Sequence, residues 1–274
     1  MFKSFLQSVE DIIGGEFREK EIYSFYGMAN VGKTTYLIGE VINAIKQGYR
    51  VAWIDTEGGF TGIWSRFSGV YKSRFGVDDK SVEDNFYYVK LLTPEALAKY
   101  LGVDYEINYG KGNKVAIKLK GFLSKPDGTL YEVYGKKRGK VLVVVDSFSS
   151  PFKLNFSTNV ENFSGRADAQ SMTIMGIMKF MDKTSATVIL THHSSLNPSN
   201  PYQVVGGVRG GNTILYYSKY MIDVEMPRKK ALSDYRSLYG VRTPVAKAWT
   251  MKKWVKIDEQ GYHDSNEEEV MEIG

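Results

Sequence analysis

The chain has 274 residues, with 36 Lys and Arg against 31 Asp and Glu, a formal charge of +5 and 43% hydrophobic residues. That length holds one α/β domain with a buried core and leaves room for an insertion. Cysteine is absent and only three histidines occur, two of them adjacent, which excludes disulfides and thiolate metal centres and leaves a poor basis for zinc. No apolar run approaches the roughly 20 residues that cross a bilayer. The start, "MFKSFLQSVEDIIGGEF", carries acids where a secretion signal is apolar. The expectation is a soluble cytoplasmic protein with no membrane partner.

In chain order, "EIYSFYG" reads as a short strand ending at Gly27. From Lys33 the apolar residues Leu37, Ile38, Val41, Ile42 and Ile45 recur at helical spacing, and Gly48 supplies a stop. "YRVAWID" is a buried strand, and Phe60 to Phe75 is predicted helical. Between Tyr105 and Tyr134 the texture changes. "YEINYGKGNKVAIKLKGF" and "LSKPDGTLYEVYG" alternate apolar and polar residues, with turn signals at Gly110 to Asn113 and Pro126 to Gly128, which predicts an inserted β-meander. "VLVVVD", Val141 to Asp146, lacks alternation and so is expected to be buried on both faces. "AQSMTIMGIMKFMDK" follows as a helix, "ATVILTHH" as an interior strand and "ILYYSKYMIDVEM" as a later strand. "DEQGYHDSNEEEVMEIG" is a solvated acidic end.

This order predicts an α/β fold, a mostly parallel sheet flanked by helices, in a single domain over residues 1–274 with a basic β-rich insertion at about 104–140. The insertion carries nine Lys or Arg against four Asp or Glu, which accounts for the whole net charge. A basic excess of this kind fits a nucleic-acid partner and also fits proteins that have none.

Gly27, Met28, Ala29, Asn30, Val31, Gly32, Lys33 and Thr34 satisfy the pattern G-x-x-x-x-G-K-[ST], with Thr35 following. The glycines let consecutive N–H groups turn inward toward phosphate oxygens, and the next helix adds the positive end of its dipole. Lys33 would reach the β- and γ-phosphates of ATP, and the Thr34 hydroxyl would ligate Mg²⁺. The bland alternative is an ordinary strand-to-helix turn. A second acid must hold the metal's water shell from the end of an apolar strand, expected beside the P-loop strand. Asp146 meets that demand, its alternative being a helix cap or turn residue. Hydrolysis also needs a group that orients water, and Glu57 in "WIDTEGGF" lies where the strand after the P-loop helix ends. Asp55 is the second choice, and a plain strand-exit turn the third reading.

Taken together, "VEDIIGGEF", "GMANVGKTT", "WIDTEGGF", "VLVVVDSFSS" and "GGNTI" resemble the RecA-like core of the archaeal RadA and RadB recombinase family, from Val9 to about Asp264. The resemblance implies a RecA-like P-loop NTPase core that binds ATP and Mg²⁺, acts in DNA recombination and repair, and uses Glu57 as catalytic base. It also implies that "FSGR", Phe163 to Arg166, is a first DNA-facing loop and that Ser194 to Gly211, with Arg209, is the second. Where the family shows T-N-Q, this chain has Thr191, His192 and His193, so His193 takes the place of a glutamine that senses the γ-phosphate. A pair of core or loop histidines is the alternative. The family's F-x-x-A polymerisation motif does not occur here and its helix-hairpin-helix domain is missing, which favours an accessory paralogue with weak ATPase activity over a filament-forming enzyme.

Arg166 and Arg209, the latter within "VVGGVRGGN", can follow a phosphate backbone without reading sequence, and the expected partner is single-stranded DNA. The alternative is a flexible surface loop. Tyr105, Tyr109, Phe122, Tyr131 and Tyr134 with the insertion's lysines can form a stacking surface for single strands or a half-buried hairpin with a solvated face, and the second reading is preferred. A main recombinase or another repair protein is a possible further partner, as is a second copy of the chain. The rival reading is a KaiC-like signalling ATPase that acts on a protein partner without DNA.

Overall fold

The computed structural model describes residues 1–109, 115–123, 129–134, 139–156, 163–197, 200–208, 212–243 and 252–273. Helix α1 (Gln7–Ile13) leads to β1 (Ile22–Gly27), α2 (Lys33–Lys46), β2 (Arg50–Asp55), α3 (Phe60–Phe75), α4 (Asp79–Asn85), β3 (Phe86–Lys90) and α5 (Pro94–Tyr100). The predicted insertion then brings β4 (Val103–Tyr109), β5 (Val115–Phe122) and α6 (Leu130–Tyr134). Next come β6 (Val141–Asp146), α7 (Ser150–Asn155), α8 (Phe163–Thr184), β7 (Thr187–Asn197), β8 (Asn200–Val208), α9 (Asn212–Tyr217) and β9 (Tyr220–Glu225). The chain closes with β10 (Tyr235–Arg242), β11 (Lys252–Asp258), β12 (Gly261–Ser265) and α10 (Glu267–Ile273).

The main sheet runs β12-β11-β10-β9-β1-β7-β6-β2-β3. From β9 to β3 every pairing is parallel, whereas β10, β11 and β12 add an antiparallel extension and β8 folds back on β7. Both faces are covered, so the central strands are buried throughout, β1 and β6 at every residue. Side-chain alternation divides them between two cores. Tyr23, Phe25, Trp53, Leu142, Val144 and Ile189 pack toward α1, α2 and α3, and Tyr26, Ala52, Ile54, Val143, Val145 and Leu190 pack toward α5 and α8.

Four expectations need correction. The meander is one antiparallel hairpin, β4 with β5, followed by a helix. Leu130 and Tyr134 are both buried and lie one helical turn apart, so α6 puts both on one face, as a strand of the same length also does. The stretch 214–226 opens as α9 and only then becomes β9, because β9 runs parallel to β1 and a parallel neighbour is reached by a crossover. Phe163 to Arg166 form the first turn of α8 rather than a loop. Finally, β6 is not beside the P-loop strand: β7 stands between them, with Phe25 paired to Thr191 and Val145 to Leu190.

The hairpin lies along α8. A side-chain carbon at Gly165 would sit 2.7 Å from the Val115 carbonyl oxygen, and one at Gly176 would sit 2.6 Å from Val103 Cγ2. Tyr105 and Tyr134 are buried, which supports the half-buried hairpin over an open stacking surface. Among the described residues no helix is long and apolar enough to cross a membrane.

Candidate active site

The site begins where β1 runs out. A Cβ at Gly27 would lie 2.3 Å from the carbonyl oxygen of Val224 on β9, so only glycine passes this point. The turn that follows holds Asn30 at φ 62 and Gly32 at φ 104, both left-handed. Behind it, the Val31 carbonyl accepts from Arg236 Nε at 2.7 Å and from the Tyr262 hydroxyl at 3.3 Å. The antiparallel extension therefore braces the loop from the side away from β7. Lys33, 7% exposed, donates from Nζ to the Gly27 and Met28 carbonyls at 3.0 and 2.8 Å. Burial lowers its pKa, against the pull of Asp146, Glu57 and Asp223.

Asp146 meets the P-loop although its strand is one place removed. Its Oδ2 accepts from the Thr34 hydroxyl at 2.7 Å, and its Oδ1 accepts from the hydroxyl of Thr191 on the intervening β7 at 2.5 Å. Burial raises the Asp146 pKa and these two hydroxyls draw it back. The neighbouring strand ends are laced together: Thr56 N–H donates to the Asp146 carbonyl at 2.9 Å, and Phe148 N–H to that of Thr191 at 2.9 Å.

Glu57 stands across the cleft. Its Oε1 accepts from Ser147 Oγ at 2.8 Å and Ser150 Oγ at 2.9 Å, and meets His193 Nε2 at 2.5 Å. Burial pushes the Glu57 carboxyl upward, but the bond and charge of His193 with the two serine hydroxyls outweigh it and hold the pKa at about 2. Asp55 is committed elsewhere. Its Oδ1 accepts from the N–H groups of Glu57 and Gly58 at 2.9 and 2.7 Å, and its Oδ2 from the Tyr88 hydroxyl at 2.9 Å. Asp55 thus shapes the turn that presents Glu57.

These groups line a cleft of about 300 Å³ that takes in Ala29, Asn30, Gly32, Lys33, Thr34, Thr35, Glu57, Asp146 and His193. A second cleft of about 390 Å³ shares Asn30, Gly32 and Thr35 with it and continues to Arg66, Phe67, Asp234, Arg236 and Asp258. The predicted Lys33, Thr34, Glu57, Asp146 and His193 are therefore gathered in one place. Met28 lies at the exposed surface of the loop and Val31 is buried beneath it. Arg166, on α8, does not line the cleft, and its half-burial lowers its pKa. Arg209 lies outside the described residues.

The sequence reading missed Thr191, Ser147, Ser150, Arg236 and Tyr262. Ser147 and Ser150 lie in "DSFSS" directly after Asp146, and Thr191 precedes the two histidines, so proximity to named residues was the available signal. Arg236 and Tyr262 come from the distant end of the chain and carried no local sign.

No family model matches the chain. It is 24% identical over 253 residues to the DNA repair and recombination protein RadA of Ignicoccus hospitalis, covering 87% of this chain and 65% of that protein. It is 25% identical over 236 residues to the DNA repair and recombination protein RadB of Methanococcus maripaludis strain C7, covering 83% and 88%. A 50-residue segment is 40% identical to a RadB of Methanococcus maripaludis, covering 18% of this chain. The chain thus spans less than two thirds of the RadA protein's length but most of a RadB's.

Proposed function

Taking the chain as a relative of the RadA and RadB proteins with a RecA-like core, we propose that it is a cytoplasmic, Mg²⁺-dependent ATPase that binds single-stranded DNA and assists recombination and repair. The reading is carried by one observation: the Thr34 hydroxyl and the Asp146 carboxylate meet at 2.7 Å beside Lys33, with Glu57 facing the same cleft.

The residues fit the groups they would hold. Thr34 and Asp146 offer hard oxygen donors, the kind Mg²⁺ takes when phosphates and water complete its shell. Bound there, Mg²⁺ would neutralise charge building on the phosphate oxygens. The P-loop N–H groups from Gly27 to Thr35 cradle the phosphates, and Lys33 exchanges its two loop carbonyls for phosphate oxygens. Glu57 is ionised at any physiological pH but, at about 2, is a weak proton acceptor. Its share is chiefly to orient and polarise the attacking water, and the turnover expected of such a group is slow. His193 holds that carboxylate through Oε1 and leaves Oε2 for water.

Arg166 and Arg209 follow the DNA backbone, and a main recombinase, another repair protein or a second copy is the protein partner. Two measurements test the reading. Lys33→Ala should abolish MgATP binding, and unchanged hydrolysis in that variant discards the site. Affinity for single-stranded DNA should fall steeply as salt rises. No DNA binding even at low salt, with nucleotide binding intact, favours the KaiC-like signalling role instead.

A further inference from the structure

The inserted hairpin lies along α8 in one register. Gly165 stands against Val115, Gly176 stands against Val103, and Lys179 Nζ lies 3.0 Å from the centre of the Phe122 ring. From Val115 to Phe122 the strand rises roughly 23 Å, and from Gly165 to Lys179 the helix rises roughly 21 Å. β5 and α8 therefore run side by side in the same direction, and Leu119 comes level with Met175. Leu119 pairs with the buried Tyr105, so it is on the hairpin face turned toward α8. On the helix, Met175, Met178 and Lys179 share one side by their spacing, the side that meets Phe122. Leu119, Met175 and Met178 are all exposed.

Lysines rim these apolar side chains. Lys118 and Lys120 flank Leu119, Lys179 and Lys183 follow Met178, and all four are exposed. Lys120 lies 3.3 Å from Glu106, and the one acid among the helix residues, Asp182, is drawn away to Lys20 at 3.3 Å. The opposite chemistry stands on α10. That helix is anchored by Val270, buried with Leu232 and Tyr235, and by Glu269, which accepts from the Tyr235 hydroxyl at 2.7 Å and from Ser265 Oγ at 2.8 Å. Helical spacing then turns Glu267, Glu268, Met271 and Glu272 outward, with Met271 70% exposed. The two faces do not meet within one chain. α10 packs on β11 near one end of the main sheet, whereas α6, which follows the hairpin, reaches β3 at the other end through Tyr134 against Tyr87. Seven strand spacings separate β11 from β3, a span of roughly 34 Å.

We infer that the face formed by the hairpin and α8 binds α10 of a second copy of this chain. The glutamates of α10 enter among Lys118, Lys120, Lys179 and Lys183, and Met271 packs on Leu119, Met175 and Met178, side chains that adapt readily to a partner. A polynucleotide fits this face less well. Its phosphates have no use for the exposed apolar side chains, and Phe122 and Tyr131 are covered by Lys179 and Lys183 instead of standing open to stack bases. A helix of seven residues buries little area, so the contact is weak, and its exposed charges make it sensitive to salt. None of these residues lines the nucleotide cleft, so the inference stands apart from the proposed ATPase activity.

The test is sedimentation of the full chain over a range of concentrations, at low and high salt. Three variants accompany the wild type: Lys118→Glu with Lys179→Glu, Glu268→Lys with Glu272→Lys, and all four changes together. Each reversed pair should weaken self-association about tenfold or more at low salt, high salt should do the same to the wild type, and the fourfold swap should restore it. Melting temperatures are taken first. Should loss of Lys179 from the Phe122 ring lower stability, Lys118→Glu alone, paired with Glu268→Lys alone and with the two combined, gives the same cycle. A wild type that stays monomeric at low salt overturns the inference, as does association that neither reversal weakens or that the swap leaves unrestored. A monomeric wild type whose affinity for a DNA duplex falls on Lys118→Glu with Lys179→Glu gives the face to a polynucleotide instead.

Discussion

A single oxygen, Glu57 Oε1, accepts from two serines and faces a histidine, and this crowding sets the residue's chemistry. Glu57→Gln keeps the shape of the cleft but not the charge, so MgATP binding should persist while hydrolysis falls by about 10²–10⁴-fold. Rapid turnover in a single-turnover assay of that variant moves the water-orienting role elsewhere. His193→Ala removes the strongest influence holding the Glu57 carboxyl at about 2, against an ordinary 4.5, and leaves burial to push it up. The acid limb of the pH–rate profile should therefore shift to higher pH, and an unmoved limb contradicts the contact. The same depressed pKa stabilises the fold above about 4.5 and is lost as pH falls toward 2, so the wild type gains nothing from this contact in strong acid. Gly27→Ala belongs to the same scale. Its Cβ would meet the Val224 carbonyl at 2.3 Å, and overpacking of that kind costs about 1–3 kcal/mol, read as a lower melting temperature. That Lys33 and Thr34 would come together was legible because phosphate chemistry dictates residue type and spacing there, and Asp146 and Glu57 could be picked out because each stands at or just past the end of an apolar strand. Thr191 and Arg236 were not, since a hydroxyl or a guanidinium that reaches in from another strand obeys no local spacing.

The elements show the same division between local and non-local causes. Strands β1, β2, β6 and the start of β7, with helices α2 and α3, follow from continuous apolar runs and 3.6-residue periodicity, and they stand where the pattern put them. The order of strands did not follow, because nothing in "VLVVVD" or "ATVILTHH" says that the second lies between the first and β1. Alternation alone likewise could not tell β5 from α6, whose short run satisfies both periods. Nor did the sequence show that the hairpin rests on two glycines of α8. That contact makes an unusual forecast. In a helix interior Gly→Ala ordinarily stabilises by about 1 kcal/mol, but at Gly176 the added carbon would press on Val103 Cγ2 at 2.6 Å and the Leu101 carbonyl at 2.9 Å. Gly176→Ala should therefore destabilise the chain by about 1–3 kcal/mol and speed amide exchange in β4 and β5. A raised melting temperature with unchanged exchange is what helix propensity by itself requires, and it would falsify the docking.

Across the whole molecule the P-loop is the point where two halves of the sheet meet. On one side Asp146, itself held by Thr191, reaches Thr34 from the parallel half. On the other side Arg236 and Tyr262 from the antiparallel extension support the Val31 carbonyl, and Asp264 on β12 accepts from the N–H groups of Gln7 and Ser8 at 2.8 and 2.9 Å, tying the start of α1 to the same extension. A ligand that tightens the loop therefore stabilises both halves together. At a hundred times its dissociation constant, MgATP should add about 2.7 kcal/mol to global stability, a rise of roughly 5–10 °C in melting temperature for a chain of this size. Arg236→Met withdraws donors from the Val31, Ser233 and Tyr235 carbonyls, each of them close at hand. Its first effect is a lower melting temperature without nucleotide, because hydrogen bonds from a charged donor contribute about 1.5–3 kcal/mol each. Its second effect decides the argument. If the extension sets the shape of the loop, MgATP affinity should also fall about tenfold, or about 1.4 kcal/mol, and Tyr262→Phe should move both quantities the same way by a smaller amount. Full MgATP affinity in both variants would mean that the phosphate cradle holds its shape without the antiparallel strands, and that their contacts serve folding alone.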